Sequence, residues 1–81
     1  MDKPIIYLKL HEIVLWADED HKQETIEIYV NLDKVSSFKR QKDILFDREY
    51  TVVCYDGIFR TAVVETPEKI IEQIEKLMKV F

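Results

Sequence analysis

The residues that could bind a metal ion lie between Asp18 and Glu24. Within this segment Asp18, Asp20, His21 and Glu24 offer oxygen and nitrogen ligands. A calcium loop of the EF-hand type would also need a glycine at its sharp turn and a bidentate glutamate at a fixed final position, and the segment lacks both. We therefore predict a solvated acidic loop here, and no metal site.

Zinc and catalytic chemistry have equally little support. His11, His21 and Cys54 could share a zinc ion, but no pair of the Cys-x-x-Cys or His-x-x-x-His type accompanies them. Ser36 and Ser37 have no histidine near them in sequence and no flanking glycines of a nucleophile elbow. A chain with one glycine cannot form a Gly-rich phosphate loop. The sequence therefore predicts a protein that is not an enzyme and has no cofactor.

One cluster of basic residues has aromatic neighbours, which is the combination that a groove for single-stranded nucleic acid uses. Its members are Phe38, Lys39, Arg40, Lys42 and Arg48. Asp43, Asp47 and Glu49 dilute its charge, and the whole chain has a net charge of −4. A small module for a ligand or for single-stranded nucleic acid is therefore an alternative, with nucleic acid an unlikely partner.

Aromatic and acidic side chains favour a protein partner, because amphipathic rings are enriched where proteins recognise one another. The candidate partner-binding residues are Tyr7, Trp16, Asp18, Glu19, Asp20, Tyr29 and Tyr55. The leading hypothesis is a small non-enzymatic accessory factor or adaptor that presents a strand edge or an aromatic and acidic face to a larger protein. An inhibitor encoded by a phage or mobile element, binding a basic host enzyme, is a second possibility. Strand pairing between open sheet edges would also permit a homodimer.

An amphipathic helix at the C-terminus has the clearest signal. Thr66 suits the N-cap, Pro67 the first helical position and Glu68 the positive end of the helix dipole. The apolar residues that follow recur at helical spacing. They are Ile70, Ile71, Ile74, Leu77, Met78 and Phe81. We predict that the helix packs on a sheet through this stripe.

A β-hairpin precedes the helix. Asp56 and Gly57 lie between two apolar runs and tolerate the positive φ angles of a two-residue hairpin loop. Such a loop predicts that Tyr55 faces Ile58 and that Cys54 faces Phe59. Cys54 would then be an inert thiol on an apolar strand.

The first half of the chain is predicted to form strands joined by polar connections. Ile5 to Trp16 predicts a strand with a bulge or bend near Glu12, and Ile26 to Leu32 a second strand. A short strand follows from Val35 to Arg40. The segment from Gln41 to Glu49 predicts a polar connection whose apolar residues fold back onto the core. They are Ile44, Leu45 and Phe46.

These elements predict an α+β fold with a small, mostly antiparallel sheet of four to five strands and one C-terminal helix. The 81 residues, of which 47% are hydrophobic, suit a single domain over 1–81. The chain has a single cysteine, no apolar run of about 18 residues and no signal peptide before its first strand. We therefore expect a cytoplasmic protein without membrane insertion.

Two segments within roughly residues 26–78 resemble the small FlbD-type flagellar proteins. The first is Ile28-Tyr29-Val30-Asn31-Leu32-Asp33-Lys34-Val35, a strand that ends in a turn. The second runs from Thr51 through Asp56-Gly57 to Val64-Glu65-Thr66-Pro67-Glu68-Lys69-Ile70-Ile71, a tight hairpin and a helix start. Leu32 replaces a proline that is frequent in that family, and the connections at 18–24 and 41–49 are longer. The resemblance implies a small non-enzymatic accessory factor for motility.

Overall fold

The computed structural model describes residues 4–45 and 47–79. In these residues the chain forms five strands and one α-helix, which confirms the predicted α+β fold. The elements are β1 (Tyr7–Leu15), β2 (Glu24–Asn31), a 3-10 turn (Leu32–Lys34), β3 (Val35–Asp43), β4 (Arg48–Tyr55), β5 (Phe59–Val63) and α1 (Pro67–Lys79). The strands form one antiparallel sheet in the order β2-β1-β5-β4-β3.

The sheet is strongly curled, because its two edge strands are joined by a single short turn. In a flat sheet four strand spacings would separate β2 from β3 by about 19 Å. The 3-10 turn between them has three residues, and such a turn rises only about 2 Å per residue. The ends of β2 and β3 that flank this turn must therefore lie close together.

The core lies between α1 and the face of the sheet that we call the inner face. Its buried residues are Leu8, Leu10, Val30, Val53, Val63 and Ile70. They come from four strands and the helix, so burial of one small apolar set ties the whole chain together. The opposite side of the sheet is called the outer face below.

The helix begins as the sequence predicts. Thr66 Oγ1 accepts a hydrogen bond from the backbone N–H of Lys69 at 3.2 Å, and α1 starts at Pro67. Ile70 is buried and its helical neighbours Ile74 and Leu77 pack against the core. The predicted stripe is too wide, however, since Ile71 and Met78 are exposed, and Phe81 lies outside the described residues.

Side chains from the helix and from the segment before it hydrogen-bond to the backbone of β1. Strand β5 pairs with β1 at a single register position, Glu12 opposite Val63. Within residues 4–45 and 47–79, no strand lies beside most of that side of β1. The side-chain amide of Gln73 fills part of the gap: its Oε1 accepts from Lys9 N at 2.7 Å and its Nε2 donates to Lys9 O at 3.1 Å. A carboxylate oxygen of Glu65 accepts from His11 N at 2.9 Å. Two side chains thus bond the backbone groups of Lys9 and His11 on this side of β1.

Replacing Gln73 by alanine is expected to lower the free energy of unfolding by about 1–2 kcal/mol, because two hydrogen bonds to β1 are lost while alanine favours the helix slightly. Urea unfolding followed by circular dichroism measures this change. Gln41→Ala is the matched control, since Gln41 is exposed and makes no side-chain hydrogen bond among the described residues. Equal stability of the two variants would contradict the role given to Gln73.

The predicted register of the β4–β5 hairpin is wrong by one residue. Asp56 and Gly57 have the expected positive φ angles, 52° and 76°, but Ile58 also belongs to the loop. Tyr55 therefore pairs with Phe59, and Cys54 with Arg60. The observed register brings the rings of Tyr55 and Phe59 together on the inner face, stacked with centroids 5.6 Å apart. Favourable contact between these rings offers a physical reason for the longer loop.

The segment from Gln41 to Glu49 also differs from the prediction. It is not a connection that returns to the core, because β3 continues to Asp43 and pairs there with Arg48, the first residue of β4. Ile44 and Leu45 lie in the turn beyond this last pair and are 90% and 88% exposed. Phe46, the third apolar residue of the segment, lies outside the described residues.

Candidate protein-binding surface

The end of β1 crosses towards β4 on the outer face of the sheet. Glu12 and Thr51 both align with Val63, yet Trp16 contacts Tyr50, with ring centroids 4.8 Å apart and planes at 73°. The chain must therefore bend after Glu12 to reach β4. The irregular pairing between Ile13 and Leu15 lies at this bend, and it confirms the bulge predicted near Glu12.

The side chain of Arg48 holds this region together. Its Nη2 donates to Ala17 O at 3.0 Å and lies 3.3 Å from Asp43 Oδ2, while its Nη1 lies 3.3 Å from Gln23 Oε1. The guanidinium also lies over the Trp16 ring, 5.7 Å from its centroid. One cation thus links the β1–β2 connection to the β3–β4 hairpin, and its planar fork of donors suits this task.

Four apolar and aromatic residues form what we call the tip surface: Trp16, Ile44, Leu45 and Tyr50. With Lys42 and Asp43 they line an open depression of about 320 Å³. The two rings are half-buried and held by their contacts, whereas the two aliphatic side chains project from the turn. Exposed aliphatic residues above fixed rings form an apolar surface that water solvates poorly.

An acidic loop follows the tip surface directly. Asp18, Glu19 and Asp20 are exposed, and Asp18 Oδ1 accepts from the backbone N–H groups of Asp20 and His21 at 2.8 and 2.7 Å. The hydrogen bond from Asp20 N, followed by that from the His21 ring, lowers the pKa of Asp18 below its usual value. Asp18 is therefore ionised at neutral pH, beside an apolar surface.

The other candidate partner-binding residues lie elsewhere. Tyr7 and Tyr29 are exposed on the outer face, near the opposite end of β1 from Trp16. The Tyr29 hydroxyl donates to Glu27, which raises the pKa of Tyr29 and lowers that of Glu27. Tyr55 lies on the inner face and packs against the core. The structure thus brings together Trp16 and the acidic loop, and separates the three tyrosines from them.

The five residues of the predicted nucleic-acid groove do not share one face. Phe38 packs against the core, and Lys39 points to the opposite side of β3. Arg40 Nη2 donates to Glu68, and its Nε lies 3.7 Å from Glu49. Lys42 lies 2.9 Å from Asp47, and Arg48 is occupied as described above. The hydrogen bond from Arg40 lowers the pKa of Glu68, so this pair is charged at neutral pH. The cations that would bind phosphates are largely paired with carboxylates.

Metal and cofactor sites have little support in the described part of the chain. No group of three or more His, Cys, Asp or Glu residues there is arranged to hold a metal ion. A second open cleft of about 360 Å³ is lined by Glu12, Ile28, Lys34 and Tyr55 among others, and Glu12 accepts a hydrogen bond from the Thr61 hydroxyl. Cys54 is a free, half-buried thiol. No helix in residues 4–45 and 47–79 is long and apolar enough to cross a bilayer.

Ile44 and Leu45 are the residues of the tip surface that sequence reasoning assigned to the core. A signal for their exposure was present, because the two residues are flanked by charged ones on both sides, in Lys42-Asp43 and Asp47-Arg48. Such a pattern also fits the turn of a long hairpin, where apolar residues cannot reach the core. Arg48 was assigned to phosphate binding. Its observed role, which is to link the β1–β2 connection to the β3–β4 hairpin, depends on contacts with residues distant in sequence and could not be predicted from local pattern.

Comparison of this chain with protein-family models, with curated proteins and with solved structures gave no match. The resemblance to FlbD-type flagellar proteins is therefore neither supported nor opposed by them and stays a prediction. The candidate site is defined by its own geometry: an apolar tip surface, an arginine that fixes it, and an adjoining acidic loop.

Proposed function

We propose that this protein is a small non-enzymatic accessory factor or adaptor that binds a larger protein through the tip surface. The observation that carries the proposal is the exposure of Ile44 and Leu45, 90% and 88%, on a turn anchored by Arg48 and two packed rings. Aromatic residues held by packing, as Trp16 and Tyr50 are here, are typical of the centre of protein interfaces. A fixed surface also loses little conformational entropy on binding.

The amount of exposed surface supports a protein partner. The chain exposes 6297 Å², whereas a compact monomer of 9.7 kDa exposes about 5100 Å². Its radius of gyration is 14.0 Å, against about 12 Å for a compact chain of this length. The excess of roughly 1200 Å² exceeds the area of about 800 Å² that each partner contributes to a standard interface.

The chemistry of the surface indicates what kind of partner it fits. An apolar centre beside Asp18, Glu19 and Asp20 complements an apolar pocket bordered by lysine or arginine side chains. Such a partner fits an adaptor in a cytoplasmic assembly, and it fits equally an inhibitor of phage or mobile-element origin that binds a basic host enzyme. A role in motility rests on the FlbD resemblance alone. Nucleic acid is the poorer fit, because phosphates would be repelled by the acidic loop.

Leu45→Asp is expected to abolish binding of the partner, because it introduces a charge into the apolar centre of the interface. The tagged protein and the variant are used to capture partners from a lysate of the native cell, and the proteins retained are identified by mass spectrometry. Ile58→Asp is the matched control: Ile58 is 81% exposed in the turn of a different hairpin, so the same change there should leave binding intact.

The acidic loop gives a second test with the captured partner. If charge complementarity contributes, moderate salt and the triple change of Asp18, Glu19 and Asp20 to Asn, Gln and Asn should both weaken binding. A partner retained by Leu45→Asp but lost with Ile58→Asp would refute the tip surface as the binding site. Recovery of nucleic acid alone, lost on reversing Lys39 and Lys42, would favour the alternative module instead.

A further inference from the structure

Strand β1 places a carboxylate on the inner face of the sheet, where its neighbours are apolar. Leu8, Leu10 and Glu12 alternate along the strand and therefore share this face. The cross-strand neighbours of Glu12 are Ile26 in β2 and Val63 in β5. The two leucines have no exposed surface, and Glu12 is half-buried. Packing alone would favour an aliphatic residue at position 12, and departures of this kind are typical of functional positions.

The carboxylate of Glu12 has a hydrogen-bond donor but no cation. The hydroxyl of Thr61, a residue of β5 that is 5% exposed, donates to it. Among residues 4–45 and 47–79, no lysine, arginine or histidine forms an ion pair with Glu12. Partial burial of a carboxylate costs free energy, and one hydroxyl donor offsets only part of that cost. The other lone pairs of the carboxylate are available to a cation from outside the chain.

The second open cleft, which we now call the inner cleft, contains this carboxylate. It has a volume of about 360 Å³, and Glu12, Lys34, Tyr55 and Asp56 are among the residues that line it. The ring of Tyr55 is held in place by stacking on Phe59. Lys34 and Asp56 are both exposed, and their opposite charges offset each other. The net charge of the inner cleft is therefore that of Glu12, and an aromatic ring lines the same cleft.

A guanidinium group fits this combination better than other cations do. It is planar, so two of its N–H groups can donate to one carboxylate, and it is more weakly hydrated than an ammonium group. Its face also packs favourably on an aromatic ring. Because the cleft is open, it can hold one side chain but cannot enclose most of a free small molecule, as ligand pockets do. An arginine side chain on a polypeptide meets all of these conditions, and arginine is enriched among the residues that dominate protein interfaces.

We propose that the inner cleft binds an arginine side chain of a protein partner, with the guanidinium paired to Glu12 and packed on the ring of Tyr55. This contact goes beyond the tip surface and does not depend on it. Tyr50 of the tip surface and Tyr55 lie on opposite faces of β4, about 17 Å apart along the strand. Phe59, which is 51% exposed beside Tyr55, provides apolar surface around the charged contact.

A nuclear magnetic resonance titration tests the site with a blocked arginine, N-acetyl-arginine N-methylamide. Backbone amide signals around Glu12 and Tyr55 should shift and saturate. The citrulline derivative has nearly the same shape without the charge, and it should bind at least about tenfold more weakly. Glu12→Gln should weaken binding of the blocked arginine to a similar extent. Glu75→Gln is the matched control, because Glu75 is exposed on α1 and has no ion pair in the described part of the chain. It removes the same charge and should leave the affinity unchanged.

A double variant separates a ligand site from a structural pair. Glu12→Leu with Thr61→Val replaces both hydrogen-bonding partners by apolar groups of similar size, a change that is often neutral or stabilising. The double variant should therefore lose binding of the blocked arginine and unfold at no lower temperature than the natural chain. A clear fall in the unfolding temperature would overturn the proposal, because the fold itself would then account for the polar pair.

Three other results would overturn the proposal. They are the absence of saturable shifts around the inner cleft, equal binding of the citrulline derivative, and unchanged affinity in Glu12→Gln. Binding of methylguanidinium without binding of the blocked arginine would also overturn it, because the cleft would then accept a free small cation and no polypeptide. Leu45→Asp should bind the blocked arginine like the natural chain, so failure of this proposal and failure of the tip-surface proposal can be told apart.

Discussion

Replacing Leu10 by alanine should lower the free energy of unfolding by about 2–5 kcal/mol, the range observed when a buried leucine leaves a cavity. Leu10 has no exposed surface and lies in the core cluster with Leu8, Val30 and Ile70. A domain of this length has a total stability of about 4–12 kcal/mol. The variant should therefore be marginally folded, and a large part of it unfolded at moderate urea concentrations.

The size of the effect follows from how few residues form this core. In the described chain six residues make up the buried cluster, so the loss of one side chain affects contacts with two strands and the helix. Urea unfolding followed by circular dichroism measures the change. Leu45→Ala is the control, because it removes the same atoms from a side chain that is 88% exposed. If both variants unfold at the same urea concentration, the core assignment is wrong.

The helix could be predicted well because its signals are local. Thr66, Pro67 and Glu68 act on backbone groups within one turn of themselves, and the structure has the helix starting where they predict. The width of its buried stripe could not be predicted in the same way. Which of Ile70, Ile71 and Ile74 is buried depends on where β1 and β3 lie, and these strands are distant in sequence.

In the β4–β5 hairpin, too, the local feature could be predicted from the sequence and the long-range feature could not. Positive φ angles at Asp56 and Gly57 follow from the residue types and are observed. Whether Ile58 belongs to the loop depends on how the strands pair, and a shift of one residue moves all of β5 to the other face. Contact between the rings of Tyr55 and Phe59 accompanies the observed register. This contact cannot be predicted from the preferences of residues for turns alone.

The candidate site was predicted in part. Trp16 and the acidic loop were both among the candidate partner-binding residues, and they lie near each other because they are adjacent in sequence. Ile44 and Leu45 were expected inside, because apolar residues usually are, but pairing of β3 with β4 extends to Asp43 and Arg48 and carries the turn beyond the core. The order of the sheet, and therefore the meeting of Trp16 with Tyr50, follows from contacts between segments about 34 residues apart.

Replacing Arg48 by alanine should have the second-largest effect, lowering the free energy of unfolding by about 2 kcal/mol. The arginine is the common partner of Ala17 O, Gln23 and Asp43, and its side chain is 24% exposed. Without it, the carboxylate of Asp43, itself 23% exposed, loses its cation in a poorly solvated position. The Trp16 ring also loses the guanidinium that lies over it.

The loss should be concentrated at the tip surface, which distinguishes it from the general destabilisation caused by Leu10→Ala. Because Trp16 is the only tryptophan, its fluorescence should shift to longer wavelength in Arg48→Ala while the far-ultraviolet circular dichroism stays unchanged in the absence of denaturant. Arg60→Ala is the matched control, since Arg60 is exposed on β5; it should change neither stability nor fluorescence.

Arg48→Lys should recover little, because an ammonium group cannot bond Ala17, Gln23 and Asp43 with the geometry of a guanidinium. Unchanged tryptophan emission in Arg48→Ala would mean that the rings hold the tip surface without the arginine. In a separate binding experiment, weaker binding of the partner by a folded Arg48→Ala protein would show that the tip surface must be held rigid to bind.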